Sequence, residues 1–179
     1  MKHAEKRRLG IGLIVAAVVL LAFLTILLVR EKHQEKEAGD SSVYGTLLSE
    51  YYDAVFSENG EAMQKLIAPE AYWTYVQEQY NETKEDEIAA YNQTAASLVE
   101  YWRGLYGSNV QVTFSVNSLE QQSDAAVAEL NTSLKETGCV VEQAVVLTVT
   151  QKLSGSAGEA ETMIQPTMIQ VEGNWYLID

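Results

Sequence analysis

An uninterrupted apolar block near the N-terminus constrains this chain more than any other feature. Residues 9–29 read LGIGLIVAAVVLLAFLTILLV, with no charged side chain. A helix rises about 1.5 Å per residue, so a block of this length extends about 30 Å, the thickness of the hydrocarbon core of a bilayer. A cleaved signal peptide has a shorter apolar region followed by small residues, whereas Arg30 follows this block directly. The sequence therefore predicts an uncleaved signal anchor, a single transmembrane helix over residues 9–29.

The cationic side chains on either side of the block predict its orientation. Four precede it and three follow it: Lys2, Lys6, Arg7 and Arg8, then Arg30, Lys32 and Lys36. Because the more positive flank stays in the cytoplasm, we expect a cytoplasmic N-terminus and an extracellular C-terminal domain at the cell membrane. The predicted segments are a basic tail (1–8), the transmembrane helix (9–29), a charged linker (30–39) and a folded domain (40–179). Gly12 and Ala16 have the spacing of helix-pairing motifs, so self-association stays open.

Charge and histidine content exclude several classes of function. The chain has a formal net charge of −13, and residues 38–179 hold 21 acidic against five basic side chains. Nucleic-acid binding is not expected, because phosphate contacts need clustered Lys and Arg. Both histidines, His3 and His33, flank the apolar block, so the domain has no histidine for catalysis or for zinc. We expect no cofactor, no metal ion and no catalytic residue, and we expect Cys139 to be buried as a small apolar side chain.

Apolar side chains at helical spacing predict four helices in the first half of the domain. Their predicted first and last residues are Asp40 and Asn59, Met63 and Ile67, Pro69 and Val76, and Thr83 and Gly107. Thr83 and Asp86 have the spacing of a capping box at the start of the fourth helix. The acidic run Glu85-Asp86-Glu87 is interpreted as a complement to the dipole of that helix rather than as a metal site.

Alternating apolar and polar residues predict antiparallel strands in the second half. The predicted strands are Val110–Val116, Val141–Leu153, Met163–Val171 and Trp175–Ile178. A helix that begins at Ser123 and ends at Gly138 separates the first two strands, and the loop SGSAG (154–158) connects the second and third. Because proline has no backbone N–H to donate, Pro166 predicts that the third strand lies at an edge or contains a bulge. Helices followed by antiparallel strands indicate the α+β fold class.

The order of these elements, and the final turn and strand VEGNWYLID (171–179), resemble the nuclear transport factor 2-like superfamily with its cystatin-like cone fold. The stretch DAAVAELNTSLKETGCVVEQAVVLTVTQKL (124–153) is similar to envelope-anchored members from Gram-positive bacteria. The resemblance implies a cone-shaped domain in which helices cover the concave face of a curved antiparallel sheet, with a pocket between the two layers.

Aromatic side chains on the predicted helices are the candidates for lining such a pocket: Tyr52, Tyr72, Trp73, Trp102 and Tyr106. Large aromatic faces suit the wall of an apolar ligand site. The same residues at the same spacing also describe an ordinary hydrophobic core, and this alternative stays open.

Three classes of function remain. The preferred class is a membrane-anchored, non-catalytic interaction or scaffold module on the outer face of the cell membrane. The resemblance implies that such a module binds other envelope proteins as a subunit of an envelope, secretion or conjugation assembly. The alternatives are a pocket domain for a small apolar ligand or peptide, and an isomerase-like enzyme with a tyrosine and a carboxyl group of raised pKa in its cavity. An interior filled by Trp and Tyr favours the first class, whereas an open interior lined by polar groups favours the other two.

Overall fold

Residues 41–178, the part of the chain that the computed structural model describes, form five α-helices, a single-turn 3-10 helix and five strands. The helices are α1 (Ser41–Phe56), α2 (Gly60–Ile67), α3 (Glu70–Tyr80), α4 (Lys84–Tyr106) and α5 (Asp124–Ser133), followed by the 3-10 turn Lys135–Thr137. The strands are β1 (Gln111–Gln121), β2 (Val141–Gly155), β3 (Gly158–Ile164), β4 (Thr167–Val171) and β5 (Asn174–Leu177). The predicted tail, transmembrane helix and linker lie outside the described residues.

The helices begin and end where local backbone chemistry requires it. The Thr83 side chain accepts a hydrogen bond from the backbone N–H of Asp86, and the Asp86 carboxylate accepts one from the N–H of Thr83, which forms the predicted capping box. Ser123 caps α5 with one hydrogen bond, which its side chain accepts from the backbone N–H of Ala126. Gly107 follows α4 with φ 83°, in the left-handed region that favours glycine. The four predicted helices of the first half are present, although α2 begins already at Gly60. The helix predicted from Ser123 to Gly138 is present only as far as Ser133, and the 3-10 turn Lys135–Thr137 follows it.

The sheet is antiparallel and is organised around β2, which has 15 residues. One edge of β2 pairs with β1 along most of its length. The other edge pairs with β3 over Val149–Gly155 and with β4 over Val141–Val146, and β5 then pairs with β4. Register shifts at Val116/Ser118 in β1 and at Val141/Gln143 in β2 mark local irregularities of the kind that bends a strand.

The single strand predicted over residues 163–171 is wrong, because the chain breaks there into β3 and β4. Pro166 lies in the break and has no backbone N–H to donate, although its carbonyl accepts a hydrogen bond from the N–H of Leu147. The predicted loop SGSAG is also too long, since β2 continues to Gly155 and β3 begins at Gly158. A two-residue turn, Ser156-Ala157, therefore connects the two strands.

Two hydrophobic clusters hold the helices to the sheet and to one another. The first, the sheet core, joins α1 to the inner face of β2, β4 and β5, and its most buried members include Leu48, Leu147 and Met168. The second, the helix core, joins α1, α2 and α4 through Ala54, Val55, Met63, Ala95, Val99 and Trp102. Cys139 is buried as expected.

The predicted fold class, which combined a transmembrane helix with a cone-shaped domain, is wrong as stated. Within residues 41–178, no helix combines the length and the apolar composition needed to cross a membrane. The longest of them, α4, has 23 residues but carries charges at both ends, from Lys84 to Glu87 and again at Glu100 and Arg103. What the structure has is an α+β domain whose helices pack on an antiparallel sheet. The predicted span 9–29 lies outside the described residues.

Candidate functional site

The five aromatic residues predicted to line a pocket fall into two separate clusters. Tyr52 of α1 and Trp102 of α4 stack with ring centroids 5.8 Å apart. Tyr52 also contacts Phe114 of β1 at 4.9 Å, and Trp102 contacts Phe56 at 5.4 Å. Tyr106 packs against the same helix core. These rings contact one another across the space between α1, α4 and β1, as the side chains of a hydrophobic core do.

One polar side chain lies on the inner face of the sheet next to these rings. Gln151 of β2 is directly opposite Phe114 in the β1–β2 register and is only 8% exposed. Its Nε2 has no hydrogen-bond acceptor among the described residues. Because an aromatic ring is only a weak acceptor for an amide N–H, Gln151 is a costly group at this position.

The second cluster contains Tyr72 and Trp73 of α3 together with Tyr91 of α4. Trp73 contacts Tyr72 at 5.1 Å and Tyr91 at 5.8 Å, both in edge-to-face geometry. The indole Nε1 of Trp73 donates to the backbone carbonyls of Gln64 and Ala68, at 3.2 and 3.1 Å. Trp73 therefore ties α3 to the C-terminal end of α2. Burial raises the pKa values of the Tyr72 and Tyr91 hydroxyls, which stay protonated at neutral pH.

A buried carboxylate, Glu87 of α4, belongs to this second cluster and was not among the predicted site residues. It is 6% exposed. Its Oε2 accepts hydrogen bonds from the side-chain amides of Gln64 at 3.2 Å and Gln77 at 3.1 Å, whereas its Oε1 has no partner among the described residues. Burial raises the pKa of Glu87 above its usual range, the two amide donors oppose that rise, and the carboxylates of Glu82 and Glu70 add to it.

The sequence does contain a signal for Glu87. The residue lies one helical turn before Tyr91 and two turns before Ala95, which is completely buried. Glu85 and Asp86, its neighbours in the acidic run, are exposed. An interpretation of all three acids as a complement to the helix dipole does not distinguish the directions in which they face.

A cleft with a volume of about 220 Å³ lies beside this second cluster. The two amides that bind Glu87, Gln64 and Gln77, form part of its wall, and so does the indole of Trp73. The wall also includes Tyr176 of β5, and the charged side chains around the cleft are Glu61, Lys65, Glu70 and Lys84. Of the five predicted pocket residues, only Trp73 is in this wall.

The chemistry of these groups differs from what an isomerase-like site would need. Glu87 and the nearby hydroxyls of Tyr72 and Tyr91 come closest to a carboxyl–tyrosine pair, but the hydrogen bonds to Glu87 come from glutamine amides. None of these three residues is part of the cleft wall. Among residues 41–178, no group of three or more His, Cys, Asp or Glu side chains has the arrangement of a metal site.

The chain matches no protein-family model, no curated protein and no solved structure. The resemblance to the nuclear transport factor 2-like superfamily therefore stays a prediction from the sequence. Any functional argument has to come from the geometry of the described residues.

Proposed function

We propose that residues 41–178 form a non-catalytic protein-interaction domain. The observation that carries this proposal is the packed aromatic interior. The ring of Tyr52 contacts those of Trp102 and Phe114, with centroids 5.8 and 4.9 Å apart. They occupy the space between the helices and the sheet where an internal ligand would have to sit. An interior of this kind is the arrangement expected of the first of the three functional classes.

The charge of the surface supports a partner of opposite sign. Residues 41–178 contain 19 acidic and five basic side chains. The ion pairs described among them are Lys65–Glu61 at 3.0 Å and Lys152–Glu159 at 2.8 Å, both substantially exposed. Most carboxylates in this part of the chain are therefore not offset by a neighbouring cation. A surface of one sign attracts a partner with complementary charge and raises the association rate at low salt.

The alternative classes draw less support from the same residues. A pocket for an apolar ligand needs an open interior, and the aromatic contacts oppose it, although the unpartnered amide of Gln151 is a polar group in that interior. An isomerase-like enzyme needs an acid and a tyrosine that face a cavity together, and Glu87 is hydrogen-bonded by Gln64 and Gln77 instead. The absence of catalytic activity stays a prediction.

The location of the domain also stays a prediction. Its place outside the cell membrane, within reach of other envelope proteins, depends on residues 1–40, which lie outside the described part of the chain. The proposed interaction depends on the domain itself and not on that location.

Crosslinking tests the proposal directly. The full-length chain would carry an affinity tag, be crosslinked to its neighbours in its native cells, and be purified for quantitative mass spectrometry. We expect one or a few proteins in a constant ratio to the bait. When binding is repeated without crosslinker, we expect recovery to fall as the salt concentration rises, because salt screens charge complementarity.

A shortened bait separates the domain from the N-terminal segment. The matched control is the same tagged chain ending at residue 40, which lacks all of the described residues. Recovery of the same proteins by this control would assign the interaction to the N-terminal segment and contradict the proposal. Recovery of the bait alone by the full-length chain would contradict it as well.

A further inference from the structure

Strand β1 has one open edge in the described part of the chain. It pairs with β2 along one edge, and no strand of residues 41–178 pairs with the other. An unpaired edge carries a row of backbone N–H and C=O groups that can continue the hydrogen-bond ladder into a further strand. The register shift between Val116 and Ser118 interrupts the ladder. The regular part of the open edge therefore includes Val112–Val116, which we call the edge segment.

The apolar side chains of the edge segment are incompletely covered. Phe114 and Val116 are half-buried, whereas the residues directly opposite them on β2, Gln151 and Val149, are buried. The helices that cover the inner face of β2 thus leave part of the neighbouring row of β1 in contact with water. A strand added at the open edge would bring side chains to this row, because directly opposite residues of an antiparallel pair project from the same face of the sheet.

The edge segment is complementary to itself in the antiparallel direction. Val112, Phe114 and Val116 project from the inner face, and the exposed Thr113 and Ser115 project from the outer face. When two copies pair around Phe114, Val112 of one copy lies opposite Val116 of the other, and Thr113 lies opposite Ser115. Apolar side chains then meet apolar ones and hydroxyls meet hydroxyls, which are the cross-strand pairs that stabilise a sheet.

Charge favours a second copy over a cationic partner at this edge. Residues 104–119 contain no charged side chain, the longest such run within residues 41–178, which otherwise carry 19 acidic and five basic side chains. Two identical anionic domains repel each other least where both present an uncharged surface. A cationic partner gains no charge complementarity from that surface.

We infer that the edge segment pairs antiparallel with the edge segment of a second copy of this chain, so that the two sheets become continuous. A pairing of this length buries little area between domains of like charge, so the dimer is weak. The inference does not depend on the proposed function, and salt separates the two. Higher salt screens the repulsion and should strengthen the dimer, whereas it should weaken the capture of a partner of opposite charge.

Cysteine crosslinking tests the pairing and its register. Full-length Thr113→Cys and Ser115→Cys chains with different affinity tags would be mixed in a non-ionic detergent under mild oxidation. Opposite residues of an antiparallel pair have Cα atoms about 4.5–5.5 Å apart, within the range that a disulfide can span. We expect a disulfide between the differently tagged chains at least tenfold faster than in a mixture of differently tagged Gln93→Cys chains, whose cysteine is exposed on α4. The native Cys139 is buried in every sample.

Charge substitutions on the outer face test the same contact by sedimentation velocity of the full-length chain. Thr113→Glu combined with Ser115→Glu places carboxylates opposite each other at two points and should weaken the dimer at least tenfold. Thr113→Lys combined with Ser115→Glu places opposite charges there, and its dimer should be at least as strong as that of the wild type. Gln93→Glu combined with Thr132→Glu adds the same two negative charges at exposed positions on α4 and α5, and should weaken the dimer less than threefold.

Three results would overturn the inference. The first is crosslinking of positions 113 and 115 no faster than that of position 93. The second is a dimer of wild-type strength in the doubly acidic edge variant, which would assign self-association to another surface, such as residues 9–29. The third is a monomer whose β1 amides are protected from hydrogen exchange, since another segment of the same chain would then cover the edge. Loss of partner capture with intact crosslinking would contradict the proposed function alone.

Discussion

Gly60 is the position where one added methyl group should disturb the domain most clearly. It is the first residue of α2, and its N–H donates to Oδ1 of Asn92 on α4 at 2.5 Å. A Cβ atom at Gly60 would lie 2.5 Å from the carbonyl oxygen of Ile88 and 2.8 Å from the Cβ of Tyr91. The first of these neighbours is backbone and cannot move without moving α4. Gly60→Ala must therefore push α2 away from α4.

The expected cost follows from two opposing terms. Overpacking of this kind destabilises by about 1–3 kcal/mol, and replacing a helical glycine by alanine returns about 0.5–1 kcal/mol. Taking the middle of each range, we expect Gly60→Ala to lower the free energy of unfolding by about 1 kcal/mol. Gly45 of α1 is the matched control, because a Cβ there would meet no atom within 4 Å. Gly45→Ala should raise the free energy of unfolding by about 0.5–1 kcal/mol.

Urea unfolding of the two full-length variants, followed by circular dichroism, measures both effects. A domain of this size loses roughly 2 kcal/mol of stability per molar urea, so the midpoint should fall by about 0.5 M in Gly60→Ala and rise by about 0.25–0.5 M in Gly45→Ala. If Gly60→Ala unfolds at the same urea concentration as the wild type, or at a higher one, the close approach of α2 to α4 is not as described.

Three further predictions concern single side chains. Asn131→Ala should lower the free energy of unfolding, measured in urea, by about 1–3 kcal/mol. The Asn131 side chain accepts a hydrogen bond from the backbone N–H of Val141 at 2.7 Å and donates one to the carbonyl of Val141 at 3.0 Å. Trp102→Ala should lower the free energy of unfolding by about 3–5 kcal/mol, because Trp102 is buried. Tyr101→Ala, at a position that is 62% exposed, should change the free energy of unfolding by no more than about 0.5 kcal/mol. Similar urea midpoints for the two variants would contradict the packed interior. Burial raises the pKa of Glu87, so the folded state holds this proton more tightly than the unfolded chain does. The stability it contributes is present below pH 4.5 and is lost as pH rises through the folded-state pKa. Thermal unfolding of Glu87→Gln at several pH values should therefore show a smaller decline with rising pH, and an unchanged decline would contradict this.

Helix positions were predictable because their determinants are local. The capping box at Thr83, the cap at Ser123 and the stop at Gly107 each depend on residues within a few positions of one another, and all three are present. Hydrophobic spacing within a helix is equally local, since it depends only on about 3.6 residues per turn.

The strand prediction failed where the determinant was the partner strand. Apolar residues lie on both sides of Pro166 in residues 163–171 (MIQPTMIQV), and this pattern predicts one strand with an edge or bulge position. The break follows from the length of β2, whose free edge accommodates two strands in succession. The length of β2 cannot be predicted from residues 163–171 alone.

The candidate site was only partly predictable, because it too depends on contacts between different elements. The sequence indicates which aromatic residues face inwards on each helix, but not which helices face one another. Tyr52 and Trp102 meet across α1 and α4, as a common pocket wall would require. Tyr72 and Trp73 instead pack beside Tyr91 and Glu87. One predicted group of five is therefore two groups with different chemistry.

Glu87 shows that the angular position of a residue around the helix axis, and not only its type, determines whether it is buried. At about 100° per residue, Glu87 lies about 40° from Tyr91 around the helix axis, whereas Glu85 and Asp86 lie about 120° and 140° from it. All three acids complement the helix dipole, but only Glu87 must also leave water. A buried carboxylate without a cation is costly, and two amide donors on one oxygen offset only part of that cost. Glu87→Gln, which removes the charge and keeps the shape of the side chain, should therefore keep or raise the free energy of unfolding near neutral pH, measured by urea unfolding.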